Sequence, residues 1–211
     1  SSLIVNLGKT EGILPRDEQV KGENYKIGDR IRAYILSVDK SGARVQIILS
    51  RKNPLFVQKL FEFEVPEIAE KFIQIKAMAR EAGYRTKLAV ISTEAKIDCV
   101  GACVGVRGSR IKNIIEELNG EKIDIIRWND SIELLVMNAL KPAEISGISL
   151  DKESRRATVL VADDQLSLAI GKRGQNVRLA TRLTGWDIDI VTESQEMAKE
   201  EHAMKELTAV P

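Results

Sequence analysis

Much of the usual equipment for catalysis is scarce in this chain. Histidine occurs once, as His202, on a segment crowded with glutamates and without a partner for acid–base work. Cysteine occurs twice, at Cys99 and Cys103. That count does not suggest a disulfide framework and fits a reducing compartment, and no nearby His or third Cys completes a metal site. Both read as small buried hydrophobes. No apolar run is long enough to span a bilayer, and no charged segment followed by an apolar one marks a secretory signal. A large net charge is also missing. With 32 Lys and Arg against 31 Asp and Glu, the formal charge is only +1, so affinity for nucleic acid cannot be argued from the chain as a whole.

What is present is an ordinary globular composition, 44% hydrophobic and 30% charged over 211 residues, enough for one to three small domains. The first residues, Ser1-Ser2, include no initiator methionine, so the chain is expected to be an excised piece of a longer protein.

One short pattern occurs twice. The first copy is Val104-Gly105-Val106-Arg107-Gly108-Ser109-Arg110-Ile111 and the second is Ile170-Gly171-Lys172-Arg173-Gly174-Gln175-Asn176-Val177, 66 residues on. Each is a G-x-x-G containing a cation. Each is followed by an apolar-periodic stretch, a glycine (Gly120, Gly185) and an alternating strand (122–127, 187–191). One G-x-x-G is most simply a connection between helices. Two with the same flanks describe one supersecondary unit used twice. The cations follow them. Residues 105–112 hold Arg107, Arg110 and Lys112 without an acid, and residues 171–182 hold Lys172, Arg173, Arg178 and Arg182 without one. The tail from Glu193 to Glu206 is acidic.

Around these motifs the pattern predicts short strands at 3–7, 13–15, 30–38 and 43–49, four of the five that a small barrel needs, with the first lying upstream. Residues 55–63 read as a short apolar helix or a connector. The spacing of Ile68, Phe72, Ile75 and Ala79 predicts a second helix from Glu67 to Arg80, stopped at Gly83. Strands follow at 87–92, 145–150 and 157–161, with helices at 100–104, after each G-x-x-G, and at 131–140. Asp163 is placed to cap a short helix through Ile170, and Glu193–Leu207 reads as a charged helix. Asp187 and Asp189 fit the exposed face of an alternating strand, and Trp128 and Trp186 fit edge packing.

A G-x-x-G between two short helices can hold a sugar–phosphate backbone. The second helix begins at the turn with unsatisfied N–H groups and positive dipole character. Glycine removes the Cβ that would keep a phosphodiester away, and the two middle residues project outward. Bases can then lie in the groove between helix and strand. Nothing in that geometry activates a nucleophile, so binding is expected rather than catalysis.

Each repeat resembles a prokaryotic-type (type II) KH domain, and the first fifty residues resemble the later strands of an OB fold of the ribosomal S-one class. The order of these units, with Glu11-Gly12-Ile13-Leu14-Pro15-Arg16, Ile47-Ile48-Leu49-Ser50-Arg51, Ala79-Arg80-Glu81, Val100-Gly101-Ala102-Cys103-Val104-Gly105 and Gly120–Trp128, resembles the NusA family of bacterial transcription termination and antitermination factors. The resemblance covers nearly the whole chain. It implies an α+β architecture: a partial OB-type β-barrel in residues 1–52, a first KH domain in 53–129, and a second in 130–211 with the acidic helix at its end. It further implies a cytoplasmic, monomeric, non-enzymatic module that binds single-stranded nascent RNA. Its other partners would be RNA polymerase and further elongation or antitermination factors, with no membrane, metal or cofactor. The family's N-terminal polymerase-contacting domain is not in this sequence. The expected RNA contacts are Gly105, Val106, Arg107, Gly108, Arg110 and Lys112 at the first turn, and Gly171, Lys172, Arg173, Gly174, Gln175, Asn176 and Arg178 at the second. The OB segment has no aromatic from Gly8 to Pro15, so little base stacking is expected there beyond Tyr25 and Tyr34. The rival readings are an RNA-binding appendage of an RNA-degrading enzyme and a ribosome-associated KH protein.

Overall fold

A four-stranded sheet opens the chain: β1 (Leu3–Asn6), β2 (Glu11–Leu14), β3 (Tyr34–Ser41) and β4 (Arg44–Ser50), in the order β1-β2-β4-β3. The computed structural model describes residues 1–209. The third strand starts four residues later than its alternation suggests. Residues 30–33 stay outside the ladder, and the Arg32 carbonyl accepts from Arg51 Nη1 at 2.6 Å.

Asn53 then starts α1 (Pro54–Glu64). Its side-chain oxygen accepts from the Leu55 N–H, and Pro54 supplies a preset first turn. Phe56, Val57, Leu60 and Phe61 form the helix's buried stripe. A single turn follows as α2 (Pro66–Ala69).

The helix expected over Glu67–Arg80 is not formed beyond that turn. The chain turns over at Lys71 (φ 67°) and becomes β5 (Ile73–Glu81). The same residues carry a second period. Ile73 and Ile75 alternate with exposed Gln74 and Lys76, and this β-branched alternation pairs antiparallel with β6 (Arg85–Ser92) across a turn at Gly83. Pairing with β6 overrides the helical spacing. A register shift between Ile75 and Ala77 displaces Ala77 and Ala79 from the simple alternation.

The first repeat continues with α3 (Cys99–Val104), α4 (Ser109–Glu117) and β7 (Lys122–Arg127), which runs parallel to β6. The second repeat has α5 (Ile132–Ala139), β8 (Gly147–Asp151), β9 (Arg156–Val161), α6 (Leu166–Ile170), α7 (Gln175–Thr184) and β10 (Asp187–Thr192). Its sheet reproduces the first, with β8 antiparallel and β10 parallel to the central β9. Arg85 faces Lys122 in one copy and Arg156 faces Asp187 in the other.

The two repeats share a core. One face of the first sheet is packed by Phe56, Phe61, Cys103 and Ile114. Ala79, Ala89 and Ile126 of the same sheet join Val136, Leu140, Leu179 and Leu183 of the second repeat. Helix α7 therefore serves its own sheet and its neighbour's, and β6 is buried from Arg85 through Val90.

Charged groups close the remaining joints. Arg51, 1% exposed, pairs with Glu23 and Glu117 and donates to the Glu117 carbonyl, tying the first sheet to the first repeat. Arg80 pairs with Glu121 and donates to the carbonyls of Arg51 and Asn53. Glu121 also accepts from the Gly83 N–H and the Thr86 hydroxyl.

The last helix, α8 (Glu193–Thr208), has no buried residue and starts with a reciprocal cap between Thr192 and Gln195. Asp163 does not cap its own short helix as expected. Its carboxylate accepts from the Ser194 N–H and hydroxyl, so it anchors α8 instead.

Candidate nucleic-acid interface

The two G-x-x-G turns have nearly the same backbone. Gly105 and Gly171 lie at φ/ψ of 79°/169° and 77°/168°. Arg107 and Arg173 lie at 53°/29° and 56°/26°, and Gly108 and Gly174 at 76°/16° and 71°/15°. The first glycine of each turn is required twice over. Its φ is positive, and a Cβ would come within 2.8 Å of the backbone nitrogen of Arg110 or Asn176. The two arginines adopt the left-handed conformation without being glycine, a local strain of about 1 kcal/mol or more that is common at functional sites.

The cations divide into free and engaged. Arg107, Lys112, Lys172 and Arg173 are exposed and make no ion pair among the described residues. Val106 is 82% exposed at the tip of the first turn. Gly105, Gly108, Gly171, Gly174 and Gln175 are half-buried in the turns.

Three expected RNA contacts have other work in the structure. Arg110 donates to the Ala102 carbonyl and pairs with Glu67, both at 2.8 Å. Asn176, at the equivalent place, is fully buried and donates to the carbonyls of Leu140 and Ala169. These two side chains tie each second helix back to the helix before its turn, and Asn176 is withdrawn from any surface ligand. Arg178 pairs with Glu81 of the first repeat and donates to the Arg173 carbonyl. Nothing local in the sequence distinguishes these residues from free ones, because Glu67, Leu140 and Glu81 lie far away along the chain.

The structure also places residues beside the second turn that the motif did not indicate. Tyr84, Arg85 and Lys122 of the first repeat join Gly171, Lys172 and Gln175 around an open groove of about 430 Å³. Tyr84 is 47% exposed. The available signal was the positive start of the strand after Gly120.

The remaining polar groups form structural contacts. Cys99 and Cys103 are buried free thiols, and burial pushes Cys103 up to about 12, away from the reactive thiolate. His202 faces Glu206 one turn along α8. Asp187 and Asp189 are exposed and pair with Arg156. Trp186 is in the core, and Trp128 lies partly buried under Lys76. Among the described residues no group of acids, histidines or cysteines has the arrangement of a metal site. No helix there is long and apolar enough to cross a membrane.

A short β-sheet unit followed by two helix–turn–helix units on three-stranded sheets defines an S1-type domain followed by tandem KH domains. Family models agree along the chain: an S1 RNA binding domain at residues 2–52, a NusA-like first KH domain at 51–128 and a NusA-like second KH domain at 132–198. The chain belongs to the NusA family. It is 49% identical over 193 residues to the transcription termination/antitermination protein NusA of Halalkalibacterium halodurans, covering 92% of this chain and 50% of that protein. The NusA of Rickettsia conorii is 46% identical over 211 residues, covering 99% of this chain and 42% of that protein. The NusA of Mycobacterium tuberculosis is 52% identical over 182 residues, covering 86% and 52%. The chain spans about half the length of these curated relatives.

Proposed function

We propose that this chain is the RNA-binding body of a bacterial transcription elongation factor. It holds single-stranded nascent RNA and, with RNA polymerase and other elongation factors, modulates pausing, termination and antitermination. The observation that carries this reading is the repeated turn: two near-identical backbones, each starting a helix and each presenting unpaired cations. The turns grip phosphates, and the grooves beside them take about four nucleotides each. Arg107 and Lys112 serve the first turn, and Lys172 and Arg173 the second. The groove at Tyr84 and Lys122 continues the track between the two. Glycine backbone at Gly105, Gly108, Gly171 and Gly174 lets the strand approach, with Val106 and Gln175 beside it. The division into units at residues 52/53 and 129/130 follows the same reading. The activity proposed is binding, in a cytoplasmic monomer.

Filter retention of labelled single-stranded RNA tests this. Replacing Arg107, Lys172 and Arg173 together by Asp is expected to abolish retention, and unchanged affinity would refute the clamp. Each lost phosphate contact is expected to reduce the slope of log affinity against log salt by about 0.7. Reversing Lys172 and Arg173 should therefore lower that slope about twice as much as reversing Arg107 alone.

A further inference from the structure

Arg178 lies four residues past Gly174, one turn into α7. Its counterpart in the first repeat is Lys112, which is exposed and makes no ion pair among the described residues. Arg178 uses two edges of its guanidinium. Nε donates to Glu81 Oε1 at 2.5 Å, and Nη1 donates to the Arg173 carbonyl at 2.9 Å. A Cβ on Gly174 would come 3.6 Å from the same Nη1, so the guanidinium packs under the turn. Glu81 is the last residue of β5, in the first repeat, and its side chain is only 15% exposed. Arg178 holds the Glu81 carboxyl below the usual carboxylate range. The carboxylate is thus charged at neutral pH and fixed by the sheet that carries it.

We propose that Glu81 is a positioning residue for the second RNA clamp. Through Arg178 it holds the Arg173 carbonyl, and with it the left-handed turn that aims Lys172 and Arg173 outward. The first turn takes the same backbone with Lys112 free, so the relay stiffens the second domain's phosphate site rather than shaping it, and does so without touching the ligand. This rests on the RNA-clamp reading of the turns. A phosphate that used the Nε edge or the inward Nη1 of Arg178 would have to displace the carboxylate or the loop carbonyl. The two acceptors are met by different nitrogens of one planar guanidinium, and the single nitrogen of a lysine would have to reach both from one point on a chain of different length.

The test uses the whole chain and a fluorescein-labelled single-stranded RNA of mixed sequence, about 12 nucleotides, long enough to reach both grooves. Glu81→Gln and Arg178→Lys are each expected to weaken binding roughly three- to tenfold, and the double variant no further, because one relay is broken in every case. Amide hydrogen exchange at residues 171–174 is expected to accelerate in the same variants. Arg182 also reaches Glu81, at 3.6 Å, but does not touch the turn. Arg182→Gln is therefore the control for lost packing and is expected to leave exchange at 171–174 unaltered. Wild-type or tighter binding by Glu81→Gln would overturn the proposal, as would full affinity in Arg178→Lys. If the unaltered protein fails to bind RNA, the functional reading fails instead. Exchange at 171–174 then decides the relay, and unchanged rates in Glu81→Gln overturn it.

Discussion

The same ion pair is built twice in this molecule, once in a core and once on a surface. Arg85 at the start of β6 pairs with Asp124 on the parallel β7, at 2.6 Å and with side chains 8% and 16% exposed. Arg156 at the start of β9 reaches Asp189 on the parallel β10, at 3.5 Å and with side chains more than half exposed. The sheets have the same topology and register, so local structure does not explain the contrast. The second repeat lies on the first sheet, and Lys87 even donates to the carbonyl of Lys141 across that joint. The position before each parallel strand diverges in the same way. In the first repeat it is Glu121, the acceptor for Arg80, Thr86 and Gly83, and in the second it is Trp186, part of the apolar core. A duplicated fold thus keeps its backbone while its neighbours decide whether a charge is solvated or structural.

Breaking the polar hub should have the largest effect. Glu121→Gln leaves the Arg80 guanidinium buried without its counter-charge, and is expected to cost about 3–5 kcal/mol in urea unfolding. A loss below about 1 kcal/mol would show that the hub is dispensable and that the position tolerates either chemistry.

The duplicated ion pair gives a direct contrast. Asp124→Asn strands Arg85 and Lys87 together and is expected to cost about 3 kcal/mol. Asp189→Asn removes the exposed equivalent and should cost under about 0.5 kcal/mol. Equal losses would mean that burial does not separate the two.

The smallest contrast between the repeats is a pH dependence carried by Lys87 of the first. Burial brings the Lys87 ammonium down to about 8 from 10.5. The unfolded chain then holds that proton more tightly than the folded one, so stability rises with pH from about 8 upward. Cys103, pushed up from 9.0 to about 12, opposes this above pH 9. Between pH 8 and 9 the gain is roughly 1 kcal/mol, and Lys87→Met should abolish it in thermal melts. The corresponding residue on β9 is Thr158, which cannot contribute such a term.

These contrasts also mark what could be read from the sequence. The repeated turns, the flanking helices and the alternating strands carry local signals, and each formed close to where its pattern put it. Residues 73–81 carried two periods at once, and pairing with β6 chose between them. Lys87 and Glu121 would pass for surface charges in any local window, yet both are buried. Arg110, Asn176 and Arg178 belonged to the motif by spacing, but their partners come from other elements of the fold. Positions defined by the chain itself were legible, and those defined by a distant neighbour were not.

The shared helix α7 fixes how the two turns are spaced. Tethered modules usually meet their second site at an effective concentration set by linker length and stiffness. Here the segment between Arg127 and Ile132 tethers nothing that could drift, because Leu179 and Leu183 are buried in a core continuous with the first sheet. The span between the two turns is a fixed dimension of the molecule, and under the proposed clamp a strand held by one would already be measured against the other.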